Sequence, residues 1–148
     1  MQVRAILRAA VFVAAAATVS AGCSDDPNLP DNLAGRYNLA TINGQPLPFT
    51  LPNTPAGTTA RIKEGRITIE ADGDFSQVLV FNITTTDPND QEGDSVSQTA
   101  GTVSADGSTL HFEPRLETAF NGSITANGLT YTRNAGNTPL QFNFVKEP

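Results

Sequence analysis

Beyond its first 22 residues the chain is predicted to be all-β, and three observations favour an eight-stranded antiparallel up-and-down barrel. Turn-forming pairs recur at Asp72-Gly73, Asp106-Gly107 and Asn127-Gly128, and such pairs between alternating apolar residues are the strongest local hairpin signal. No segment shows a 3.6-residue period long enough for a major helix. Consecutive hairpins make neighbouring strands antiparallel, and closing the meander removes its two raw edges. A β-sandwich is the alternative architecture.

The strands follow from the alternation of apolar and polar residues between these turns. Leu140, Phe142 and Phe144 lie on one face of a period-two segment, and other segments repeat the pattern. Type I′ turns, with positive φ at both central residues, are expected at the three pairs. The eight strands are predicted at 35–43, 58–71, 74–86, 93–105, 108–113, 117–126, 129–134 and 140–146.

The connection between the first two predicted strands, residues 44–57, carries four prolines. Proline cannot donate to a β-ladder, so the connection is predicted to be a loop without strands. In a barrel it could form a lid, with Phe49 and Leu51 pointing into the open end. The favoured interpretation is a plug that closes the barrel end and completes the core.

The first 22 residues have the pattern of a secretory leader. Arg4 and Arg8 give a basic start, residues 9–19 are apolar, and Ser20-Ala21-Gly22 supplies small residues before a cleavage point. About 20 apolar residues are needed to span a bilayer. The apolar stretch is shorter than that, so a permanent transmembrane helix is disfavoured.

Cys23, the only cysteine, directly follows the leader. The segment Ser20-Ala21-Gly22-Cys23 resembles the lipobox of bacterial lipoproteins. The resemblance implies a diacylglycerol thioether on Cys23, a third acyl chain on its amine, and attachment to a membrane of the cell envelope. Ser24, rather than Asp, follows the cysteine and favours the outer membrane, with the membrane face left open. Ordinary cleavage after Ala21 is the alternative.

Three segments are therefore predicted: a lipoprotein signal peptide (1–22), a lipidated flexible tether (23–33) and a single β-barrel domain (34–148). The tether is rich in Asp, Asn and Pro and has no packing face. Without the leader, seven basic residues stand against 15 acidic ones, a formal charge of −8. That charge argues against binding nucleic acid or anionic lipid headgroups.

The start of the domain resembles a known family. Gly35-Arg36-Tyr37-Asn38-Leu39, followed by the segment 42–48 with its Asn-Gly pair, is similar to the opening of bacterial lipocalin-like lipoprotein domains. The resemblance implies a lipocalin-like barrel. Tyr37 stands where true lipocalins have Trp, and the later lipocalin motifs are not found, so ligand binding is not carried over.

Two functional classes stay open. One is a non-enzymatic envelope lipoprotein whose packed barrel is structural or binds an envelope protein. The alternative is a barrel that binds a small apolar ligand, which an eight-stranded barrel can hold. The predicted ligand-binding side chains are apolar or aromatic: Tyr37, Phe49, Leu51, Phe81, Phe112 and Phe142.

The sequence predicts no catalytic residue and no cofactor. His111 is the only histidine; alternation places it on the outer face of its strand, and no nucleophile-elbow pattern accompanies it. Oxygen-bearing side chains cluster between two long strands and form a calcium candidate. They do not fit the EF-hand spacing, and a solvated hairpin tip is the favoured interpretation. The candidate comprises Asp87, Asn89, Asp90, Glu92 and Asp94.

Overall fold

The computed structural model of the chain describes residues 29–89 and 92–148. The leader, the lipidation candidate Cys23 and the calcium candidate Asp90 lie outside these residues. In the described part the domain consists of antiparallel strands joined in sequence order.

The strands form a closed barrel, as predicted. Eight of the ten make the wall, in the order β1, β4, β5, β6, β7, β8, β9 and β10, and β1 closes the ring by pairing with both β10 and β4. All eight predicted strands have a counterpart. The strands are β1 (Gly35–Ile42), β2 (Gln45–Pro46), β3 (Phe49–Thr50), β4 (Thr58–Ile69), β5 (Asp74–Thr85), β6 (Gly93–Asp106), β7 (Thr109–Pro114), β8 (Phe120–Thr125), β9 (Gly128–Ala135) and β10 (Thr138–Lys146).

The two ends of the barrel differ. At one end, here called the tight end, three short hairpin turns follow β4, β6 and β8, and the first strand begins beside the last residues of β10. The other end, the mouth, carries the longer connections 43–57, 86–92 and 115–119. Both ends of the described domain, Leu29 and Pro148, therefore lie on the side of the tight end.

Hairpins join the strands at all three predicted pairs, but none of these turns has the type I′ geometry. Positive φ at two successive residues occurs at Asn43 (51°) and Gly44 (74°), between β1 and β2. At the three predicted pairs at most the glycine has it: Gly73 (87°) and Gly107 (59°) do. Gly107 is the first residue of its two-residue loop, where a type II′ turn requires positive φ.

Gly128 departs further from the prediction, because it is the first residue of β9 and not part of the turn. It is buried, and a Cβ there would overlap the carbonyl oxygen of Phe144 on β10. A glycine is needed here for the close approach of two strands, since any side chain would push them apart.

The proline-rich connection contains two short strands, so its prediction as a strandless loop is wrong. β1 pairs with β4 only over Gly35–Asn38, and beyond that point the two strands separate. β2 pairs with β1, and β3 pairs with β4, which fills the gap in the wall. Pro46 is tolerated because β2 has a neighbour on one side only, so its missing N–H breaks no second ladder.

Aromatic side chains fill the interior. Phe112 packs face to face with Phe120 (ring centroids 4.8 Å apart) and edge to face with Phe75 (5.2 Å). Tyr131 continues the cluster towards Phe142, at 5.1 Å. Offset and edge contacts of this kind add to the burial energy of each ring. The interior is thus a packed core from the tight end up to the mouth.

Strands β4, β5 and β6 are 12, 12 and 14 residues long, whereas the other wall strands have six to nine. Their mouth-side ends project beyond the rest of the wall as a three-stranded sheet. On its β4 side, β3 and the Leu51 N–H, which donates to the Ala60 carbonyl at 2.8 Å, cover the edge. On its β6 side, β7 pairs only with Gly101–Asp106, so the residues before Gly101 form an uncovered edge.

Candidate functional site

A cavity of about 210 Å³ lies at the mouth of the barrel. Three of the predicted ligand-binding residues, Leu51, Phe81 and Phe142, line it together. Leu79 and Leu140 add to its apolar wall. The first connection therefore contributes Leu51, but not Phe49, to the lining of the mouth cavity.

The other three predicted residues do not reach this cavity. Phe49 is half-buried and packs against the core, opposite Ile62 on β4. Phe112 is fully buried in the middle of the aromatic cluster. Tyr37 is buried at the tight end, where its hydroxyl donates to the Leu33 carbonyl. Tyr37 and Phe112 belong to the buried core, and Phe49 packs against it.

Polar side chains at the mouth were not predicted from the sequence. The Tyr131 hydroxyl donates to the Gln77 side-chain oxygen at 3.0 Å, and both residues are buried. Burial raises the pKa of Tyr131, so the phenol stays a neutral donor. In the described residues no buried side-chain polar atom lacks a hydrogen-bond partner. The pair is therefore a satisfied part of the core.

An ion pair borders the same cavity. Arg133, two residues after Tyr131 and so on the same inward face, lies 2.5 Å from Glu117 on the connection between β7 and β8. The Thr99 hydroxyl donates to Glu117 at 2.7 Å, and this bond, with help from Arg133, lowers the pKa of Glu117. Arg133 also lies over the Phe120 ring, 4.9 Å from its centroid. The cation at the mouth is thus neutralised by the protein itself.

His111 lies half-buried on β7, and its Nδ1 is 2.9 Å from the amide oxygen of Asn121 on β8. In a Ser-His-Asp arrangement the histidine needs an activated serine within hydrogen-bond reach. The contact found is an ordinary cross-strand bond to an amide. The histidine is accounted for by strand pairing.

Three of the four described members of the calcium candidate, Asp87, Glu92 and Asp94, accept hydrogen bonds from protein donors. Asp87 accepts from the backbone and side chain of Asn89, and Glu92 accepts from the Thr85 N–H. Asp94 accepts from Lys63 at 2.8 Å, which lowers the pKa of Asp94. Across 29–89 and 92–148, no group of three or more His, Cys, Asp or Glu is placed to hold a metal ion.

Apolar side chains are exposed on the outer wall near the mouth. Val96 on β6 is 57% exposed, and Leu116 on the β7–β8 connection is 97% exposed. A groove of about 440 Å³ lies beside the uncovered edge of β6, bordered by Ala100, Arg115 and Leu116. Leu116 thus places an exposed apolar side chain at the border of an open groove.

No family model, no curated protein and no solved structure matches this chain. Among the residues that the structure describes, no helix is long and apolar enough to cross a membrane.

Proposed function

We propose that this chain is a non-enzymatic, lipid-anchored lipoprotein of the cell envelope, with the outer membrane favoured, whose barrel serves as a structural or protein-binding module. The leader and Cys23 support the anchor, and the packed barrel supports the module.

The observation that carries the protein-binding role is the small size of the mouth cavity. Pockets for small molecules usually enclose about 300–1,000 Å³, whereas this one measures about 210 Å³. Aromatic rings occupy the space below it. A filled interior with exposed Val96 and Leu116 on the outside fits a protein partner better than a ligand inside the barrel.

The position of the tether agrees with this role. Leu33 is buried at the tight end, so a chain anchored at Cys23 would approach the barrel from that end. Two or more acyl chains give stable anchoring. The mouth and the projecting sheet would then point away from the membrane, towards other envelope components.

The second candidate is binding of a small apolar ligand, favoured by one observation. Leu51, Phe81 and Phe142 form an apolar wall that is open to solvent. A short chain or a single ring could rest there without entering the core.

Membrane fractionation tests the anchor. The full chain should pellet with host membranes, and Cys23→Ser should move it to the soluble fraction or leave it as the uncleaved precursor. Ser24→Ala, a neighbour without the thiol, is the matched control and should still be processed and pellet. A mature Cys23→Ser protein that pellets like the wild type would refute the lipid anchor.

Native mass spectrometry of the full chain purified from its host separates the two roles. We expect no small molecule to co-purify with the barrel. Ala135 borders the mouth cavity, so Ala135→Leu should fill it without changing the core. A molecule that binds one to one and is lost in Ala135→Leu would establish the ligand-binding alternative instead.

A further inference from the structure

The uncovered edge of β6 is the feature that carries a further inference. Residues 93–98 are exposed, and they pair with β5 on one side only. In the described part of the chain, the first backbone contact on their other side is the Arg115 N–H, which donates to the Ala100 carbonyl at 2.9 Å. A row of unpaired backbone groups of this length is a template for another strand.

Two hydrogen bonds show in which direction the backbone N–H and C=O groups of β6 point. Ala100 accepts on the open side, and the Val103 N–H donates to Gly73, beside β5, at 2.8 Å. In an antiparallel strand the N–H and C=O of one residue point the same way, and successive residues alternate. β6 pairs with β5 without a bulge from Gly93 to Thr102. The even-numbered residues before Ala100 therefore direct their backbone groups to the open side.

Natural proteins protect open edges with lysines, prolines, bulges or a covering segment. Residues 93–100 contain no lysine, no proline and a single charge, Asp94, which Lys63 pairs. The opposite edge of the same projecting sheet is covered by β3. The fold thus protects one edge of this sheet and leaves the other ready to pair.

We propose that β6 pairs with β6 of a second copy of this chain, antiparallel and centred on Val96. The pairing would join two projecting sheets into one sheet of six strands. It would place three residue pairs in hydrogen-bonded positions, with two bonds each, or about six backbone bonds. The partner named here deepens the proposed function and rests on its protein-binding role.

The side chains of this register are self-complementary. Val96 faces Val96, an apolar pair on the outer face. Asp94 faces Gln98, so a carboxylate meets an amide donor, and Ser95 faces Ser97. Cross-strand pairs of these kinds are favourable, whereas like charges placed opposite each other are not. No two like charges meet along 93–99.

The surroundings of the edge also fit two copies. In each copy the closed wall begins at Gly101, where β7 starts to pair with β6. In this register Gly101 lies past Glu92 of the other copy, so the wall is outside the paired segment. Glu92 of one copy would come opposite Ala100 of the other, next to that copy's Arg115. Arg115 already lies 3.9 Å from Asp74, so Glu92 would come as a second carboxylate near this cation. Only the projecting sheets overlap.

Cysteine crosslinking of the full chain tests the register. In a Cys23→Ser background, Val96→Cys places the only thiol opposite its own copy, within the Cα spacing that a disulfide accepts. Val145 is the matched control, an exposed valine (47%) on β10 whose edges are both paired. We expect Val96→Cys to form disulfide dimers roughly tenfold faster than Val145→Cys, because association raises the effective thiol concentration. Equal rates would overturn the proposal.

Sedimentation of detergent-solubilised full chain provides the second measurement. The wild type should show a concentration-dependent dimer. Val96→Lys, which sets two ammonium groups opposite each other, and Gln98→Pro, which removes an edge N–H, should be monomeric with unchanged circular dichroism. A wild type that stays monomeric, or dimers that both variants keep, would overturn the pairing; so would an edge occupied by a different protein. Membrane fractionation tests the lipid anchor separately, so a failure of the β6–β6 pairing can be told apart from a failure of the anchor.

Discussion

Tyr131 on β9 and Gln77 on β5 meet across the interior of the barrel, with the phenol hydroxyl 3.0 Å from the amide oxygen. The two strands stand four places apart in a ring of eight, so they lie on opposite sides of the wall. Both side chains are almost fully buried, at 2% and 3% exposure. The bond therefore braces the barrel directly beneath its mouth.

Removing either partner of this bond should destabilise the protein. Tyr131→Phe leaves the Gln77 oxygen unpaired, and Gln77→Leu leaves the phenol hydroxyl unpaired; each should cost about 1–3 kcal/mol, the usual penalty for a buried unsatisfied group. The double variant should lose clearly less than the sum, since it buries no orphan. Urea unfolding followed by circular dichroism measures the free energy of unfolding of all three variants. Strictly additive losses would mean that the Tyr131–Gln77 bond does not form in solution.

Glu117 should make stability depend on pH in the acid range. Its pKa in the folded protein is lowered from the ordinary 4.5, first by the Thr99 hydroxyl and then by Arg133. The stabilisation is therefore complete above about pH 5 and is lost as pH falls through the lowered value. Glu117→Gln should flatten the stability curve below about pH 5.

Thr99→Val is the internal control for this titration, because it removes the first cause of the shift and keeps the carboxylate. The pKa of Glu117, followed by NMR, should then rise towards its ordinary value. A pKa unchanged in Thr99→Val would mean that this hydrogen bond does not form in solution.

Period-two alternation was enough to predict most of the wall. Leu140, Phe142 and Phe144 gave both the strand and its inward face, and all three are buried. Ring closure followed from the need to protect edges. The short strands β2 and β3 were missed because each is only two residues long and lies in a proline-rich connection. Their pairing also depends on a gap between β1 and β4 that no local pattern reveals.

The mouth could be predicted only for its apolar part. Leu51, Phe81 and Phe142 follow the rule that apolar side chains point inward. Gln77 and Arg133 break that rule, because their partners come from strands and loops that are distant in sequence. A polar residue within an inward-facing series is the one signal that could have found them.

Gly128 should be the least replaceable of the turn-associated glycines. A Cβ at this position would overlap the Phe144 carbonyl oxygen. The φ of Gly128 is not positive, so the obstacle is this overlap and not the backbone conformation. Gly107→Ala is the control, since it has positive φ but no atom within 4 Å of the added Cβ. We expect a loss of about 1–3 kcal/mol or more for Gly128→Ala from overpacking, and about 1 kcal/mol for Gly107→Ala from backbone strain. Urea unfolding ranks the two, and the reverse order would mean that β9 and β10 are not so closely apposed.

The junction between tether and barrel depends on Tyr37. Its hydroxyl donates to the carbonyl of Leu33, whose side chain is buried at the tight end. The Lys146 ammonium lies over the Tyr37 ring, 5.6 Å from its centroid, and donates to the Asn32 carbonyl. The last residues before β1 are thus held by both ends of the folded domain.

Tyr37→Phe should loosen this junction while leaving the barrel folded. The ring still fills the core, so the loss of one hydrogen bond should lower the free energy of unfolding by about 1 kcal/mol. Hydrogen exchange should become faster at Leu33, whose N–H donates to the Pro30 carbonyl, but not at the N–H groups of β9. Leu33→Ala, which removes the buried side chain instead, should accelerate exchange at the same amide and cost about 2–5 kcal/mol. If Leu33 exchanged at the wild-type rate in Tyr37→Phe, the side chain alone would hold the tether against the barrel.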